Sequence, residues 1–378
     1  MVPKALKALD EFRALNQEQV DYIVRKASVA ALNQHAPLAK FAVEETGRGR
    51  IEDKAVKNIF ACEHVVNYLR GLKTVGIINK DPIKGVIEIA DPVGVVAGVT
   101  PTTNPTSTAI FKSLVCLKTR NPIIFGFHPA ANKSSIAAAK VVYDAAVAAG
   151  APENCIQWID TPSLEATTAL MQHPDVATIL ATGGNAMVKS AYSCGKPALG
   201  VGAGNVPAYV HNDADIKRVA NDLIVSKNFD YGMICASEQA ALIHKDVWDE
   251  LLAECKKLHA YICNKEEKAK LEEFMFGVKA NSKNCADRKL NGTVVGKSPQ
   301  WIAKNAGFEV PEDTSVIFAE IKSVGIEEPL SFEKLTPVLA IKKVKDEKEG
   351  LDDAEKMLEN GGLGHSAMIH TENKDLIV

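Results

Sequence analysis

The sequence contains no apolar run long enough to cross a membrane. Its 378 residues are 46% hydrophobic, but the longest apolar runs are strand-sized and fall well short of the ~18 residues that a spanning helix needs. The N-terminal stretch is the start of an amphipathic helix and carries no secretory apolar core. These absences predict a cytoplasmic protein that binds no membrane.

Paired cysteines and clustered metal ligands are missing as well. The eight cysteines include no CxxC pair, and the nine histidines show no metal-ligand spacing. This pattern is typical of reduced cytosolic thiols and not of a disulfide framework or a zinc site. We therefore expect no metal site.

Charge of one sign is not in excess either. The net charge is −3 and basic and acidic residues are interspersed, so nucleic acid is not an expected partner. The chain is long enough for two domains with sizeable cores.

The first 91 residues predict helices followed by a hairpin. Residues 3–70 are helical by period, and one buried helix face is expected to carry Val20, Tyr22, Ile23, Ala27 and Val29. Residues 73–91 predict an apolar hairpin. Because unpaired strand edges attract partners, this hairpin is either an oligomerisation arm or a plain edge pair.

Strands alternate with helices from residue 93 onward. The predicted strands are 93–99, 122–127, 155–159 and 176–180, and this alternation favours a parallel sheet with helices on its faces. Ligands in such sheets bind at the carboxyl ends of the strands. We therefore expect one ligand-binding edge formed by Thr100, Pro101, Thr102, Asn104, His128, Gly183 and Gly184.

Two glycine-rich stretches differ in their context. Gly183 and Gly184 follow a predicted strand and open a predicted helix, so backbone amides there can face a phosphate. Residues 200–205, with Gly202 at their centre, lack the strand-then-helix context of a dinucleotide fingerprint. We interpret them as a glycine-rich turn whose closely packed backbone lines the ligand-binding cleft.

Cys235 is the candidate nucleophile. It follows a glycine turn and precedes the small residue Ala236, a setting that leaves room for a substrate carbon and for backbone N–H groups near a developing oxyanion. The alternative is an inert, buried cysteine. A second α/β unit begins after Asp213, and the chain is expected to stop at Val378 within an incomplete structural unit.

Several motifs together carry a family resemblance. They are TPTTNPTSTAIFKSL, KTRNPIIF, ILATGGNAMVKSAY, GKPALGVGAGNVP, MICASEQ and EKLTPVL. The whole chain resembles the CoA-acylating branch of the aldehyde dehydrogenase superfamily, and most closely the N-terminal half of bifunctional aldehyde-alcohol dehydrogenases, truncated at its C-terminus. It departs at Tyr231, where the branch more usually has asparagine, and at Cys194, which replaces a commoner serine.

The resemblance implies a fold and its domains. It implies an α/β protein with a Rossmann-type coenzyme domain, residues 1–211, from which an oligomerisation hairpin protrudes at about 73–91. An α/β catalytic domain, incomplete at its C-terminus, is expected over residues 212–378. A full-length protein of this kind is expected to form a homo-oligomer, either a dimer or a filament.

The resemblance also implies residue roles. Cys235 matches the nucleophile, and Asn104 matches the side-chain donor to the oxyanion, whose alternative is a turn or helix-cap residue. Gly183 and Gly184 match the pyrophosphate turn, and Glu333 matches the carboxylate on the nicotinamide ribose, whose alternative is a solvated loop charge. His365 is the candidate for handling the CoA thiol proton, against a structural histidine at a glycine turn.

The implied reaction is NAD-dependent interconversion of acetaldehyde plus CoA with acetyl-CoA, through a cysteine thioester. NAD is favoured over NADP by resemblance only, because His128 and Pro129 stand where the superfamily has its adenine-ribose lysine. Neither Asp nor Glu occurs between Thr182 and Asn212, so the base that activates water in hydrolytic relatives is missing. The alternatives are a hydrolytic aldehyde dehydrogenase and an inactive fragment that serves in assembly or binding.

Overall fold

The structure is a computed structural model that describes residues 1–278 and 288–377. Contacts divide the chain into two compact units, Met1–Gly202 and Ala203–Val378. Within the described ranges, no helix is both long and apolar enough to cross a membrane. No group of three histidine, cysteine or acidic side chains in those ranges is arranged to hold a metal ion.

The first unit begins with a helical layer. Its helices are α1 (Val2–Arg13), α2 (Gln17–Asn33), α3 (His35–Thr46), α4 (Ile51–Ile59) and α5 (Val65–Arg70), with a π-helical turn at Phe60–His64. A two-stranded antiparallel hairpin follows, made of β1 (Gly76–Asp81) and β2 (Val86–Ala90). The predicted helical start and hairpin are therefore confirmed as secondary structure.

A five-stranded parallel sheet forms the rest of this unit. Its elements are β3 (Val95–Val99), α6 (Pro105–Lys118), β4 (Ile123–Gly126), α7 (Asn132–Ala148), β5 (Ile156–Trp158), α8 (Leu164–Gln172), β6 (Val176–Thr182), α9 (Asn185–Tyr192) and β7 (Ala198–Val201). The strand order is β5-β4-β3-β6-β7. Ile123 and Phe125 pack into one apolar cluster and Ile124 into another, because successive strand residues point to opposite faces. Helices cover both faces, as the alternation predicts.

The second unit is built on a six-stranded parallel sheet. Its strands are β8 (Val206–Val210), β9 (Glu238–His244), β10 (Ala260–Ile262), β11 (Val316–Glu320), β12 (Val338–Val344) and β13 (Met368–His370), in the order β10-β11-β12-β9-β8-β13. Its helices are α10 (Ile216–Asn228), α11 (Trp248–Lys257), α12 (Lys265–Phe276), α13 (Pro299–Ala306), α14 (Glu347–Gly361) and α15 (Lys374–Ile377). Alternate residues of β9 pack into separate apolar clusters on the two faces.

One predicted helix face is partly wrong. Val20, Ile23 and Ala27 are buried, but Tyr22 is 43% exposed and Val29 is 48% exposed. The buried positions follow the 3.6-residue period, whereas Tyr22 and Val29 lie off that stripe. The sequence therefore predicted a wider buried face on α2 than the structure has, because it included two residues that are exposed.

Several strands were not predicted. Residues 198–201 form β7 and not part of a turn, although residues 202–205 are irregular as expected. β8 escaped prediction because Pro207 lies inside it, and proline usually argues against a strand. Proline is tolerated here because the pairing of β8 with β9 shifts register between Val206 and Pro207. β10, β12 and β13 were missed as well.

The second unit starts earlier than the predicted domain boundary at 211/212. β8 pairs with β9 and with β13, so residues 206–210 belong structurally to the second sheet. The assignment of coenzyme and catalytic roles to the two domains stays a prediction.

Candidate active site

The predicted ligand edge of the first unit lies at a topological switch point. From β3 the sheet extends to β4 on one side and to β6 on the other, and such a reversal opens a crevice at the carboxyl ends of the strands. Thr100 directly follows β3, and Gly183 directly follows β6. The hydroxyl oxygen of Thr100 is buried and has no hydrogen-bond partner within the described ranges. This hydroxyl is therefore available to hydrogen-bond a ligand at the edge of the sheet.

The residues after β3 are held by basic side chains from the helical layer. The Arg48 guanidinium donates to Thr102 Oγ1 at 3.0 Å, and the Lys54 ammonium donates to the Thr103 carbonyl at 3.1 Å. Neither cation was predicted as a site residue. A signal existed for Lys54, because Arg50, Lys54 and Lys57 recur at the four- and three-residue spacing of one helix face, but this series does not include Arg48.

Asn104 is the N-cap residue of α6, but its side chain makes no capping hydrogen bond. Its Oδ1 accepts a hydrogen bond of 2.7 Å from the Lys57 ammonium, and its Nδ2 donates to Thr103 Oγ1 at 3.2 Å. Asn104 therefore occupies the helix-cap position named in the alternative interpretation, although its side chain is used elsewhere. The oxyanion role stays a prediction.

The glycines near β6 leave space at the start of α9. Gly183 N–H donates to the Val201 carbonyl at 3.1 Å, and Gly184 is the N-cap of α9. A Cβ at Gly184 would meet nothing within 4 Å, whereas one at Gly202 would lie 2.7 Å from Asn185 Oδ1. The turn is therefore open at Gly184 and closely packed at Gly202.

His128 follows β4 and is a neutral acceptor. Its Nδ1 accepts the Ala130 N–H at 3.1 Å. Burial lowers the pKa of His128, and the nearby Arg48 lowers it further. The neighbouring start of α7 already holds a carboxylate, since Glu45 accepts the N–H groups of Lys133 at 2.9 Å and Ser134 at 2.7 Å. Glu45 was not predicted.

In the second unit the candidate residues lie at the amino ends of the strands, whereas those of the first unit lie at the carboxyl ends. Gly204, Cys235, Glu333 and His365 precede β8, β9, β12 and β13 respectively. In a parallel sheet the amino ends of all strands lie at one edge. The rule that ligands bind at the carboxyl ends of parallel strands therefore predicts the candidate residues of the first unit but not these four residues of the second.

The chain reaches Cys235 through a left-handed bend. Asp230, Tyr231 and Gly232 have φ values of 49°, 52° and 71°. A Cβ at Gly232 would lie 2.3 Å from the Thr336 carbonyl oxygen, so glycine is required there. Positive φ is unfavourable for tyrosine and easier for asparagine, which gives a physical reason for the asparagine that the branch usually has at position 231.

Cys235 differs from most other thiols in its exposure. It is half-buried, as is Cys194, while the remaining described cysteines are buried. Burial raises the pKa of each buried thiol to about 12, and these are Cys62, Cys116, Cys155, Cys255 and Cys263. A thiol with such a pKa is inert at neutral pH, which leaves two accessible thiols among those described.

Gly204 brings the predicted residues of this unit together. Its N–H donates to Glu333 Oε1 at 2.8 Å. A Cβ at Gly204 would lie 2.2 Å from the Cys235 carbonyl oxygen and 3.0 Å from the imidazole of His365. The side chains of Glu333 and His365 and the backbone carbonyl of Cys235 therefore meet at one residue that has no side chain.

Burial shifts the pKa values of Glu333 and His365 toward the neutral form of each side chain. Burial raises the pKa of Glu333 to about 7, although the Gly204 N–H and the ammonium groups of Lys227 and Lys334 oppose the shift. Burial lowers the pKa of His365. Its Nδ1 contacts Ser366 Oγ at 3.1 Å, and its buried Nε2 has no partner within the described ranges. That nitrogen can take up a proton.

A buried polar network supports this edge. Gln239 Oε1 accepts from Lys227 Nζ at 3.2 Å and from the Lys334 backbone N–H at 3.0 Å. Gln239 Nε2 donates to the Ser237 carbonyl at 3.0 Å. Both lysines are fully buried. Gln239 thus joins the Cys235 turn to the Glu333 segment, a role that sequence reasoning missed although both motifs were recognised.

The switch-point sheet and the thiol site identify the class of protein. A sequence profile of the Aldehyde dehydrogenase family matches residues 1–277, and the chain belongs to this family. It is 65% identical over 376 residues to an aldehyde-alcohol dehydrogenase of Streptococcus pneumoniae, covering 100% of this chain and 43% of that protein. The chain thus spans less than half the length of that relative.

Two solved structures are similar over 100% of this chain. An acetylating aldehyde dehydrogenase of Geobacillus thermoglucosidasius has a TM-score of 0.94 at 46% identity, with 81% of that chain covered. A propionaldehyde dehydrogenase of Rhodopseudomonas palustris, solved with bound CoA and an acylated cysteine, has a TM-score of 0.86 at 28% identity, with 83% covered. The predicted family and α/β fold are confirmed.

Gly204→Ala is expected to lower the rate of thiol acylation about 100-fold, because misplacing a reacting group by about 1 Å has an effect of that size. The added methyl must displace the Cys235 carbonyl or the His365 ring. Gly71→Ala, where a Cβ meets nothing within 4 Å, is the control. Reaction of Cys235 with an acyl ester, followed by mass spectrometry, measures the effect; equal rates in the two variants would contradict it.

Glu333→Gln is expected to remove a pH dependence of stability. The pKa of Glu333 rises from 4.5 to about 7 on folding, so the folded state holds a proton that the unfolded chain releases in this window. The parent therefore loses more stability than the variant as pH rises from 4.5 to 7; Glu328, whose pKa burial also raises to about 7, contributes equally in both. The change in melting temperature between pH 5 and pH 7 tests this. The control is Glu355→Gln, at an exposed position, which should show the same change as the parent. An equal change in the parent and in Glu333→Gln would refute the prediction.

Proposed function

We propose that the chain is the aldehyde dehydrogenase part of a CoA-acylating enzyme. It interconverts acetaldehyde plus CoA with acetyl-CoA using NAD, and in the cell it runs as acetyl-CoA reduction during fermentation to ethanol. The observation that carries this proposal is the convergence of Cys235, Glu333 and His365 on Gly204. The acetylating and CoA-bound relatives support the choice of acceptor.

Cys235 begins the chemistry as a thiolate. Its sulfur forms a bond to the aldehyde carbon, and the carbonyl oxygen becomes an oxyanion. The resemblance assigns stabilisation of this oxyanion to the amide of Asn104 and the backbone N–H of Cys235, and losing one such donor typically costs roughly 2.7–4 kcal/mol. Loss of hydride from the same carbon leaves a thioester on Cys235.

The residues of the first unit fit a dinucleotide. The switch point, the unpartnered Thr100 hydroxyl and the open turn at Gly184 offer a crevice with a polar group and backbone amides. Thr100, Pro101, Thr102, His128, Gly183, Gly184 and Gly202 would line it. When bound, the nicotinamide supplies the hydride acceptor, and Glu333 is assigned to its ribose.

The acyl acceptor is the CoA thiol. In the thioester step its sulfur bonds to the acyl carbon, the bond to Cys235 breaks, and the thiolate of Cys235 is restored. The free Nε2 of His365 is suited to take the CoA thiol proton. No carboxylate stands on residues 198–205 to activate water, and the structure places Gly204 of that segment against Cys235.

A hydrolytic enzyme is the second candidate, because one observation favours it. The pKa of Glu333 is raised by burial to about 7, which would suit a general base for water. The Gly204 N–H already binds this carboxylate, and the resemblance assigns it to the ribose. We therefore rank hydrolysis below acylation.

NADH formation from acetaldehyde is expected to require CoA and to yield acetyl-CoA. Without CoA at most one turnover per Cys235 should appear, because the thioester has no acceptor. Cys235→Ala should abolish the reaction, whereas Cys116→Ala, at a buried thiol, should stay within a few-fold of the parent. Sustained acetate production in CoA-free buffer would restore the hydrolytic alternative, and full activity of Cys235→Ala would end the proposal.

We also infer that the hairpin is an assembly arm. Ile89 faces Ile77 across the two strands, and these residues are 65% and 39% exposed, with Ile87 at 57%. An apolar hairpin with unpaired edges is suited to packing against a second copy.

Joint Ile87→Lys and Ile89→Lys substitution is expected to lower the mass of the assembly in solution, because two charges would replace the apolar face. Light scattering after size exclusion measures the mass. Leu164→Lys, at an apolar residue that is 70% exposed on α8, is the matched control and should leave the mass unchanged. An unchanged mass for the hairpin variant would exclude the arm.

A further inference from the structure

Asn104 occupies a helix-capping position without using it. Asparagine at an N-cap normally accepts a hydrogen bond from a backbone N–H of the first helical turn, which stabilises the helix. Here the residue has φ −135° and ψ 57°, and its side chain makes no capping bond to α6. Another interaction therefore determines where the amide points.

Lys57 provides that interaction. Its ammonium lies 2.7 Å from the Oδ1 of Asn104. An ammonium has three donors and no acceptor, so the amide atom that faces it is the oxygen. The NH2 group of Asn104 must then face away from Lys57.

The NH2 group has one N–H to spare. One N–H is directed at Thr103 Oγ1 at 3.2 Å, and no acceptor for the other lies within residues 1–278 and 288–377. A hydrogen bond from a charged donor also polarises the amide, which makes the remaining N–H a better donor.

The helix that carries Lys57 is fixed to the same loop at a second point. Lys54, one turn earlier on α4, is 2% exposed and donates to the Thr103 carbonyl at 3.1 Å. α4 therefore anchors two consecutive residues, Thr103 through its backbone and Asn104 through its side chain. This anchoring fixes the part of α4 from which the Lys57 side chain reaches Asn104.

We propose that Lys57 is a positioning residue for the oxyanion donor: it holds Oδ1 of Asn104 so that an N–H of the amide is presented to the reacting carbonyl oxygen. This inference rests on the proposed function, in which Asn104 donates to the oxyanion. If the amide turned over, its oxygen would face the oxyanion and repel it. Lys57 thus selects the productive one of two orientations of similar shape.

Single and double substitutions test the role. Asn104→Ala is expected to slow Cys235 acylation about 100-fold or more, as for loss of other oxyanion donors. Lys57→Met should slow it about tenfold through kcat, with KM for acetaldehyde and NAD within twofold, and Lys57→Arg should recover most of the loss. In the Asn104→Ala background, Lys57→Met should have no further effect, because its target is gone.

The assay should include a reaction that needs neither NAD nor CoA. With p-nitrophenyl acetate the Cys235 thiolate attacks the ester carbonyl, the bond to nitrophenolate breaks, and a thioester remains on Cys235. The initial burst of nitrophenolate reports this step alone. Lys40→Met, at a lysine whose side chain is 64% exposed on α3, is the control and should match the parent. Lys57→Gln, which keeps a polar group, replaces Lys57→Met if the latter does not fold.

The outcomes separate this inference from the proposed function. A full rate in Lys57→Met, or a double variant in which the two losses multiply, would overturn the positioning role while leaving the Asn104 role intact. A full rate in Asn104→Ala would overturn the donor role and this inference together. Loss in Asn104→Ala, a smaller loss in Lys57→Met and no added loss in the double variant support it.

Discussion

The close approach of the chain at Gly204 is the constraint on which the candidate thiol site depends. The backbone N–H of this residue binds the Glu333 carboxylate, and its Cα lies against the Cys235 carbonyl and the His365 ring. Only a residue without a side chain allows these contacts at the same time. The Gln239 side chain hydrogen-bonds the Ser237 carbonyl, in the turn that carries Cys235, and the Lys334 backbone N–H, in the segment that carries Glu333. These hydrogen bonds and the close packing at Gly204 hold the two segments together.

The two sheets use opposite edges, and this limits what pattern reasoning can find. In the first unit the carboxyl-end rule correctly placed Thr100, His128 and Gly183 at one edge, because the strands there are continuous apolar runs with clear ends. In the second unit the candidate residues precede their strands, and strands such as β8, which contains Pro207, are not evident by composition. Glu333 came from motif resemblance alone, whereas Cys235 was indicated by its glycine turn and small neighbour and then matched by the resemblance.

Residues that act through others were the hardest to predict. Arg48 and Lys54 lie some fifty residues from the loop that they contact, and a basic helix face is usually solvated. Lys227 and Lys334 would be expected in water from their chemistry alone. Their burial depends on backbone carbonyls and on Gln239, and these partners become neighbours only after the sheet has formed.

The crowded glycines between residues 200 and 204 also restrict how the acyl acceptor of the proposed reaction can change. A Cβ at Gly200 would lie 2.6 Å from a methyl of Val188, one at Gly202 would lie 2.7 Å from Asn185, and one at Gly204 would lie 2.2 Å from the Cys235 carbonyl. Each obstacle is a different neighbour, so no single compensating change relieves all three. A glutamate at Gly204 would displace the backbone of Cys235 before it could activate water, whereas the obstacles at Gly200 and Gly202 are side chains of α9. If the chain transfers its acyl group to CoA as proposed, a glutamate at Gly204 would therefore not convert it to a hydrolase unless the contacts with Cys235 and His365 were remodelled first.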